Sequence, residues 1–235
     1  MNFTIAETLL IDYPGLFIGV IELTGVNNSG NNAEIEMLLR NIEQEVKEKY
    51  TGSNVPEHPH IKPWREAYKK FGSKPNDFRC SSETLLRMVL NGKEIRHISK
   101  IVDLYNYISL KYILTLGGED MDKIKGDLVL TYAKGDENFV PLGSSENDSP
   151  QKGEVVYKDD FGVICRRWNW REGDRTKLTE HSKNIVLVAE ALPPIENEIL
   201  KNATKELAEL VSKFCGGTIK ILFVDSAQNS ISLND

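Results

Sequence analysis

One segment, residues 101–126 (IVDLYNYISLKYILTLGGEDMDKIKG), restricts the fold more than any other part of the chain. Its first half is too apolar for a surface helix. Ile101, Val102, Leu104, Tyr105, Tyr107, Ile108 and Leu110 point all round the cylinder, which predicts a helix buried in a core. Asp103, Asn106 and Ser109 are the exceptions, and at helical spacing they form one polar stripe. A buried carboxylate and a buried amide are costly unless hydrogen-bonded. The stripe therefore either ties down a neighbouring loop or lines a pocket. Gly117-Gly118-Glu119-Asp120 reads as the turn after this helix, with glycines that permit close approach of a ligand to the backbone.

Apolar periodicity supplies the remaining elements. Phe3–Leu10 and Leu16–Leu23 read as strands around the turn sequence Asp12-Tyr13-Pro14-Gly15. Ala33–Tyr50 is an amphipathic helix, with Ile35, Leu38, Leu39, Ile42 and Val46 on one face. Pro63–Phe71 reads as a short helix with Pro63 in its first turn, and Glu83–Leu90 as another capped by Ser81 or Ser82. Beyond Gly118 the pattern predicts short strands at 127–133, 138–142, 155–158 and 162–167. Gly143–Gly153 is a turn-rich loop, and Ile185–Ala189 a buried β-branched strand. Pro193-Pro194 opens a long amphipathic helix, and Thr218–Val224 is the closing strand. These elements predict one α+β domain over residues 1–235, its helices covering a mixed or two-layer β core.

Charge narrows the partners. The net charge of −6 argues against a sequence-independent grip on long DNA or RNA, because that affinity comes from many Lys and Arg contacts to phosphate. A small contact with one RNA end remains compatible. The three cysteines, Cys80, Cys165 and Cys215, have no C-x-x-C spacing and read as reduced thiols of a cytoplasmic protein. The histidine pair His58 and His60 lacks the neighbouring ligands of a metal site, so neither metal nor cofactor is expected. The first residues carry Glu7 and Asp12 without a basic start, which is not a signal peptide, and no apolar run is long enough for a membrane span.

The chemistry-bearing residues are few. Nucleophile elbows, phosphate loops and H-E-x-x-H are absent. Cys165 alternates with Val163 along a strand and reads as a core cysteine. Arg166-Arg167-Trp168-Asn169-Trp170-Arg171 is the only basic and aromatic cluster. Arginines and aromatic faces suit a single-stranded nucleic-acid end. The same residues also suit a strand end whose tryptophans close the core, with arginines paired to Asp159, Asp160 or Asp174. Strand alternation puts Trp168 and Trp170 on one face, Asn169 and Arg171 on the other. Glu190, at the end of the apolar strand, either faces solvent or accepts a ligand hydrogen bond.

The ordered set V-D-x-x-N, then G-x-x-D-x-D-K-I-x-G, continuing through Glu154 and Trp168, resembles the tRNA-editing domain of the bacterial phenylalanyl-tRNA synthetase beta subunit. It is most similar to free-standing versions of that domain, with a core over about residues 61–192. The resemblance implies an amino-acid pocket bordered by Asp103, Asn106, Gly118 and Asp120. It implies that Glu190, within Val188-Ala189-Glu190-Ala191, accepts the hydroxyl of a mischarged tyrosine. Arg166, Trp168, Asn169 and Arg171 would meet the acceptor end of tRNA. Two positions depart from the family pattern. Gly117 stands where the family has a histidine associated with the terminal adenosine, and Thr131 where it has an arginine.

Two functions follow from the resemblance. One is hydrolysis in trans of the ester of mischarged aminoacyl-tRNA, with no general base assigned among these residues. The other is a non-catalytic module that binds RNA or an amino-acid-like ligand. Oligomeric state is not legible in the sequence.

Overall fold

The computed structural model describes residues 1–233. Its strands form two sheets. The first is six-stranded and runs β10 (Ser230–Ser232), β1 (Asn2–Ile5), β4 (Leu128–Tyr132), β5 (Val155–Lys158), β6 (Val163–Arg166), β7 (Arg171–Glu172). It is mixed, because β1 and β4 run parallel while its other pairs are antiparallel. The second is four-stranded and antiparallel, in the order β3 (Thr115–Asp120), β8 (Ile185–Ala191), β2 (Phe17–Thr24), β9 (Thr218–Val224).

The second sheet is covered on both faces, and the strand period of two sorts its residues. Ile18 and Val20 of β2 and Val186 of β8 join Phe3, Ile5, Leu130, Val155 and Tyr157 of the first sheet in one core. Phe17, Ile21 and Leu23 of β2, with Ile185, Leu187 and Ala189 of β8, face the opposite way. They meet Ile101, Leu104 and Ile108 of α5 (Lys100–Tyr112) and Leu200, Ala203 and Leu207 of α6 (Asn197–Cys215). Gly19 lets α6 come this close. A Cβ there would stand 2.3 Å from Thr204 Oγ1. A second helical layer, α2 (Ala33–Tyr50) and α4 (Ser81–Leu90), packs Leu39, Ile42, Leu86 and Val89 against Leu110 of α5. The fold is α+β with helices over a two-layer β core, and α5 is buried as its composition requires. Among the described residues no helix is long and apolar enough to cross a membrane.

Local departures have local causes. Phe3–Leu10 is not one strand. After β1 the chain forms a short helix, α1 (Glu7–Asp12), and β1 and β2 lie in different sheets. Residues 138–142 contribute only an isolated bridge between Pro141 and Gly173. The N-cap of α4 is Cys80, without a side-chain bond, rather than a serine. Pro63 does sit in the first turn of α3 (Lys62–Lys70). The largest correction concerns Gly117-Gly118-Glu119-Asp120, which is strand β3 and not a turn. Its backbone is paired residue by residue with β8, from Thr115 opposite Glu190 to Asp120 opposite Ile185.

Candidate functional site: an acidic chamber between the sheets

Register places three acids between the sheets. On β8, Val186, Val188 and Glu190 point toward the six-stranded sheet. Their partners on β3 are Glu119, Gly117 and Thr115. From the first sheet come Tyr157 of β5, Cys165 of β6 and Glu172 of β7, the last two directly opposite one another. Together these residues, with Trp168 and Asn169, line a chamber of about 40 Å³.

Glu190 forms one end of the chamber and is saturated with donors. Its Oε1 accepts from Tyr157 Oη at 2.6 Å and Trp168 Nε1 at 2.7 Å, and its Oε2 from Asn169 Nδ2 at 2.8 Å. Tyr68 Oη in turn donates to Asn169 Oδ1 at 2.8 Å. Burial raises the Glu190 pKa, and these hydrogen bonds oppose the shift. The phenol held by Glu190 is thus the chain's own Tyr157. Tyr157 occupies the place where the resemblance implies a ligand hydroxyl.

Glu119 and Glu172 form the other end. Burial pushes Glu119 well above its usual pKa, and the adjacent Glu172 carboxylate adds to it. Glu172 is also raised by burial, with hydrogen bonds from Glu119 and Cys165 in opposition. Two carboxyls in contact without a cation between them share a proton. Even so, Oε2 of each has no hydrogen-bond partner. Burial and these acids hold the Cys165 thiol well above its usual range, so it is protonated and no nucleophile.

Glu172 and Gly118 are shared with an outer cleft of about 470 Å³. The cleft is otherwise walled by Val102 and Tyr105 of α5, Leu142 and Leu178, with Lys177 at its rim. Helix α5 borders this cleft through Val102 and Tyr105, one residue round from the polar stripe, while Asp103 of the stripe borders a separate cleft of about 310 Å³ with Arg40, Arg96 and His97. Asp103 also closes the loop ahead of its own helix. Its Oδ2 lies 2.5 Å from His97 Nδ1, and its Oδ1 accepts from Ile98 N at 3.3 Å. Ser109 Oγ donates to Leu114 O at 2.6 Å beyond the other end of the helix. Asn106 is buried between them and lines neither the chamber nor the cleft. Asp120 points away from the chamber. It accepts from Ser182 Oγ at 2.6 Å and caps the short turn Met121–Lys123. Asp103 and Ser109 tie down loops, Asp103 also lines a cleft of its own, and Asp103, Asn106 and Glu190 do not meet in one cavity.

The basic and aromatic cluster is folded inward. The chain leaves β6 at Arg166, and Arg167 and Trp168 take positive φ values of 50° and 66°. Two successive non-glycine residues in this region are strained by about 1–3 kcal/mol each. Their side chains hold them there. Trp168 is fully buried, edge-on to Tyr13 at 4.9 Å and Trp64 at 5.1 Å. Arg166 grips Glu154 at 2.8 Å and Asp148 at 2.7 Å. Arg167 reaches Glu154 at 3.1 Å and lies 3.6 Å over the Phe78 ring. Arg166 and Trp168 are therefore unavailable to nucleic acid. The expected strand alternation fails because the segment is a tight turn. Asn169 serves the chamber through Glu190. Arg171 alone remains exposed, its guanidinium donating to Leu142 O at 3.0 Å beside the outer cleft.

Sequence reasoning missed Glu119, Glu172 and Tyr157 as site residues. One signal pointed to Glu172. A Cβ on Gly117 would sit 3.2 Å from Glu172 Oε1. The glycine that departs from the family pattern is thus the residue that makes room for the second acid. The cleft at Asp103 carries Glu94, Arg96 and His97, but there Asp103 is paired with His97, and Arg40 with Glu43 and Glu94. A cleft of about 600 Å³ is walled largely by Pro14, Pro59, Pro63, Pro193 and Pro194, and there Asp12 and Lys70 are paired to each other. Among the described residues no group of three or more His, Cys, Asp or Glu could hold a metal ion.

A family model described as the B3/4 domain matches residues 63–216, a span that contains all three chamber acids. Among solved structures, the chain is similar to an N-terminal fragment of the phenylalanyl-tRNA synthetase beta-subunit from Pyrococcus horikoshii. The identity is 13% and the TM-score 0.45, over 92% of this chain and 49% of that one. The chain thus spans about half the length of that fragment. No curated protein matches.

Proposed function

The chain belongs to the B3/4 domain family, which is found in the phenylalanyl-tRNA synthetase beta subunit, and on that premise we propose that it is a cytoplasmic, editing-type protein that hydrolyses the ester of mischarged aminoacyl-tRNA in trans. The observation that carries this reading is the pairing of a cleft with a buried polar chamber at Gly118 and Glu172. An aminoacyl side chain fits the apolar cleft wall of Val102, Tyr105 and Leu178. The ester then lies at the mouth, within reach of exposed Arg171 and of Lys177, which suit the terminal nucleotide.

The ester is activated, so hydrolysis needs positioning and a held water more than a covalent nucleophile. Water oxygen attacks the carbonyl carbon, the bond to the ribose oxygen breaks, and that oxygen takes up a proton. The neighbouring ribose hydroxyl is suited to orienting the water. The protonated Cys165 and the fully engaged Glu190 leave no side chain acting as nucleophile.

A second reading, a binding module without turnover, is favoured by one observation: the chamber is closed down to about 40 Å³. The test is a panel of mischarged tRNAs incubated with protein in catalytic amounts. Release of labelled amino acid over many turnovers supports hydrolysis. Stoichiometric retention of the tRNA without release overturns it in favour of the module.

A further inference from the structure

The chamber has more acceptors than donors: Cys165 and Thr176 are hydrogen-bond partners of Glu172 and Glu119, yet Oε2 of each acid stays unmet. Tyr157, Trp168 and Asn169 all spend their hydrogens on Glu190. Across the chamber, Glu119 is 7% exposed and its Oε2 is unpartnered, as is Oε2 of Glu172. The groups facing this pair are Cys165, Tyr105, Thr176 and Glu190, none of them a cation. The guanidinium that acts on Glu119, Arg175, is already held by Asp159 at 2.7 Å and by Lys123 O at 2.6 Å. Buried Glu43, Glu83, Glu154 and Asp159 are each matched by an arginine; this pair is not.

We propose that the Glu119–Glu172 pair is the binding site for a primary ammonium group of the aminoacyl moiety, which enters from the outer cleft past Glu172 and Gly118. This rests on the aminoacyl-ester reading above. Size agrees, because a chamber of about 40 Å³ exceeds the about 10–15 Å³ of probe-occupied volume that one water needs, and an ammonium is about as large as a water. Chemistry agrees as well. A buried anionic pair needs charge as well as hydrogen bonds. An ammonium supplies one positive charge and three donors, whereas a water supplies two donors and no charge. Access follows from the shared walls, since Glu172 and Gly118 belong to both cavities. The apolar cleft then receives the rest of the amino acid. On binding, the ammonium replaces the proton shared by the two carboxyls, and that proton leaves to buffer.

The ammonium has two possible sources, the α-amino group or a basic side chain. Calorimetric titration with three small esters separates them. Leucine methyl ester offers only the α-ammonium, Nα-acetyl-lysine methyl ester only the side-chain ammonium, and N-acetyl-leucine methyl ester neither. At least one ammonium ester should bind about tenfold or more tighter than the acetylated leucine ester, with release of about one proton. Glu119→Gln should weaken that binding about tenfold while keeping the shape of the side chain. If Glu119→Gln fails to fold, Glu172→Gln serves the same purpose. Equal binding of all three esters, binding of none, or an unchanged affinity in the folded variant overturns the proposal. The titration needs neither tRNA nor turnover. Ammonium esters that bind while aminoacyl-tRNA stays intact remove the hydrolase and leave the site. Hydrolysis that proceeds equally fast on N-acetyl-leucyl-tRNA, which carries neither ammonium, removes the site and leaves the hydrolase.

Discussion

Glu154 and Glu119 are both buried, yet one is surrounded by cations and the other by more acid. Glu154 receives Arg166 through two bonds, at 2.8 and 3.1 Å, and Arg167 through one. Glu83 on α4 is treated alike, with Arg65 at 2.9 Å and Arg87 at 2.8 Å. A charge taken from water is tolerable when its lone pairs are filled and its sign is balanced. Glu154 and Glu83 meet that condition within the fold and read as structure. Glu119 and Glu172 do not meet it within the fold, so they are the acids whose balance can come from a ligand.

The sharpest way to break this contrast is to damage the balanced site. Arg166→Met leaves Glu154 with a single arginine in a water-free setting. It should lower unfolding free energy in urea by about 3–5 kcal/mol. Trp168→Ala, which opens a cavity in the same turn and strips a donor from Glu190, should cost about 3–5 kcal/mol. Because Trp168 is fully buried, the tRNA affinity of the molecules still folded should not change. A stable Trp168→Ala protein that has lost tRNA binding would instead return Trp168 to the nucleic-acid surface.

The unbalanced site should behave in the opposite sense. The Glu119 carboxyl is held well above its usual 4.5 by burial and by Glu172. Above about pH 5 the unfolded chain has released a proton that the folded chain still holds. The unfolded state then binds fewer protons, so stability falls as pH rises, by up to about 1.4 kcal/mol per unit. Below the usual value both states are protonated and the effect vanishes. Glu119→Gln removes the shared proton and the like-charge contact. Its stability curve should match the wild type near pH 4 and lie above it by about 1 kcal/mol or more at pH 7. Urea midpoints across that range test the sign. A variant less stable than wild type at pH 7 would show that Glu119 is balanced after all.

The contrast explains which parts of the molecule the sequence reveals. Elements with strong apolar patterns are legible. The bounds of α2 follow from its single apolar face, and those of β5 and β9 from continuous apolar runs that pack on both sides. Strand β3 is hidden because Gly117 and Gly118 are depleted in strands and read as a turn. They are tolerated there because other groups fill the space. A Cβ on Gly118 would stand 2.4 Å from Leu187 Cδ2. The Arg167–Trp170 turn carries neither glycine nor asparagine at its positive-φ positions, so nothing local announces it. Only tertiary contacts through Glu154, Glu190 and Phe78 select it. The same holds for the chamber. Glu119, Glu172 and Glu190 lie on three strands, two of one sheet and one of the other, and only register brings them together. The polar stripe of α5 was visible, but its choice between loop and pocket depended on a rotation of one residue. The structure gives Ser109 to a loop, and Asp103 to both the loop at His97 and the cleft beside it.

The smallest expected effect separates the exposed arginine from the buried ones. Arg166 is committed to Glu154 and Asp148, whereas Arg171 is exposed and touches only a backbone carbonyl. If the acceptor end of tRNA lies across the cleft mouth, Arg171 meets one phosphate, and few others are neutralised by so acidic a chain. The dependence of log K on log salt should be shallow, and Arg171→Ala should reduce its slope by about 0.7, one single-strand contact. Stability should be unchanged, because no buried group loses its partner. Filter binding across a salt series, with unfolding measured on the same variant, reads both quantities. A variant with an unchanged slope moves the RNA contact away from the cleft, and with it the argument that the chamber faces the aminoacyl end.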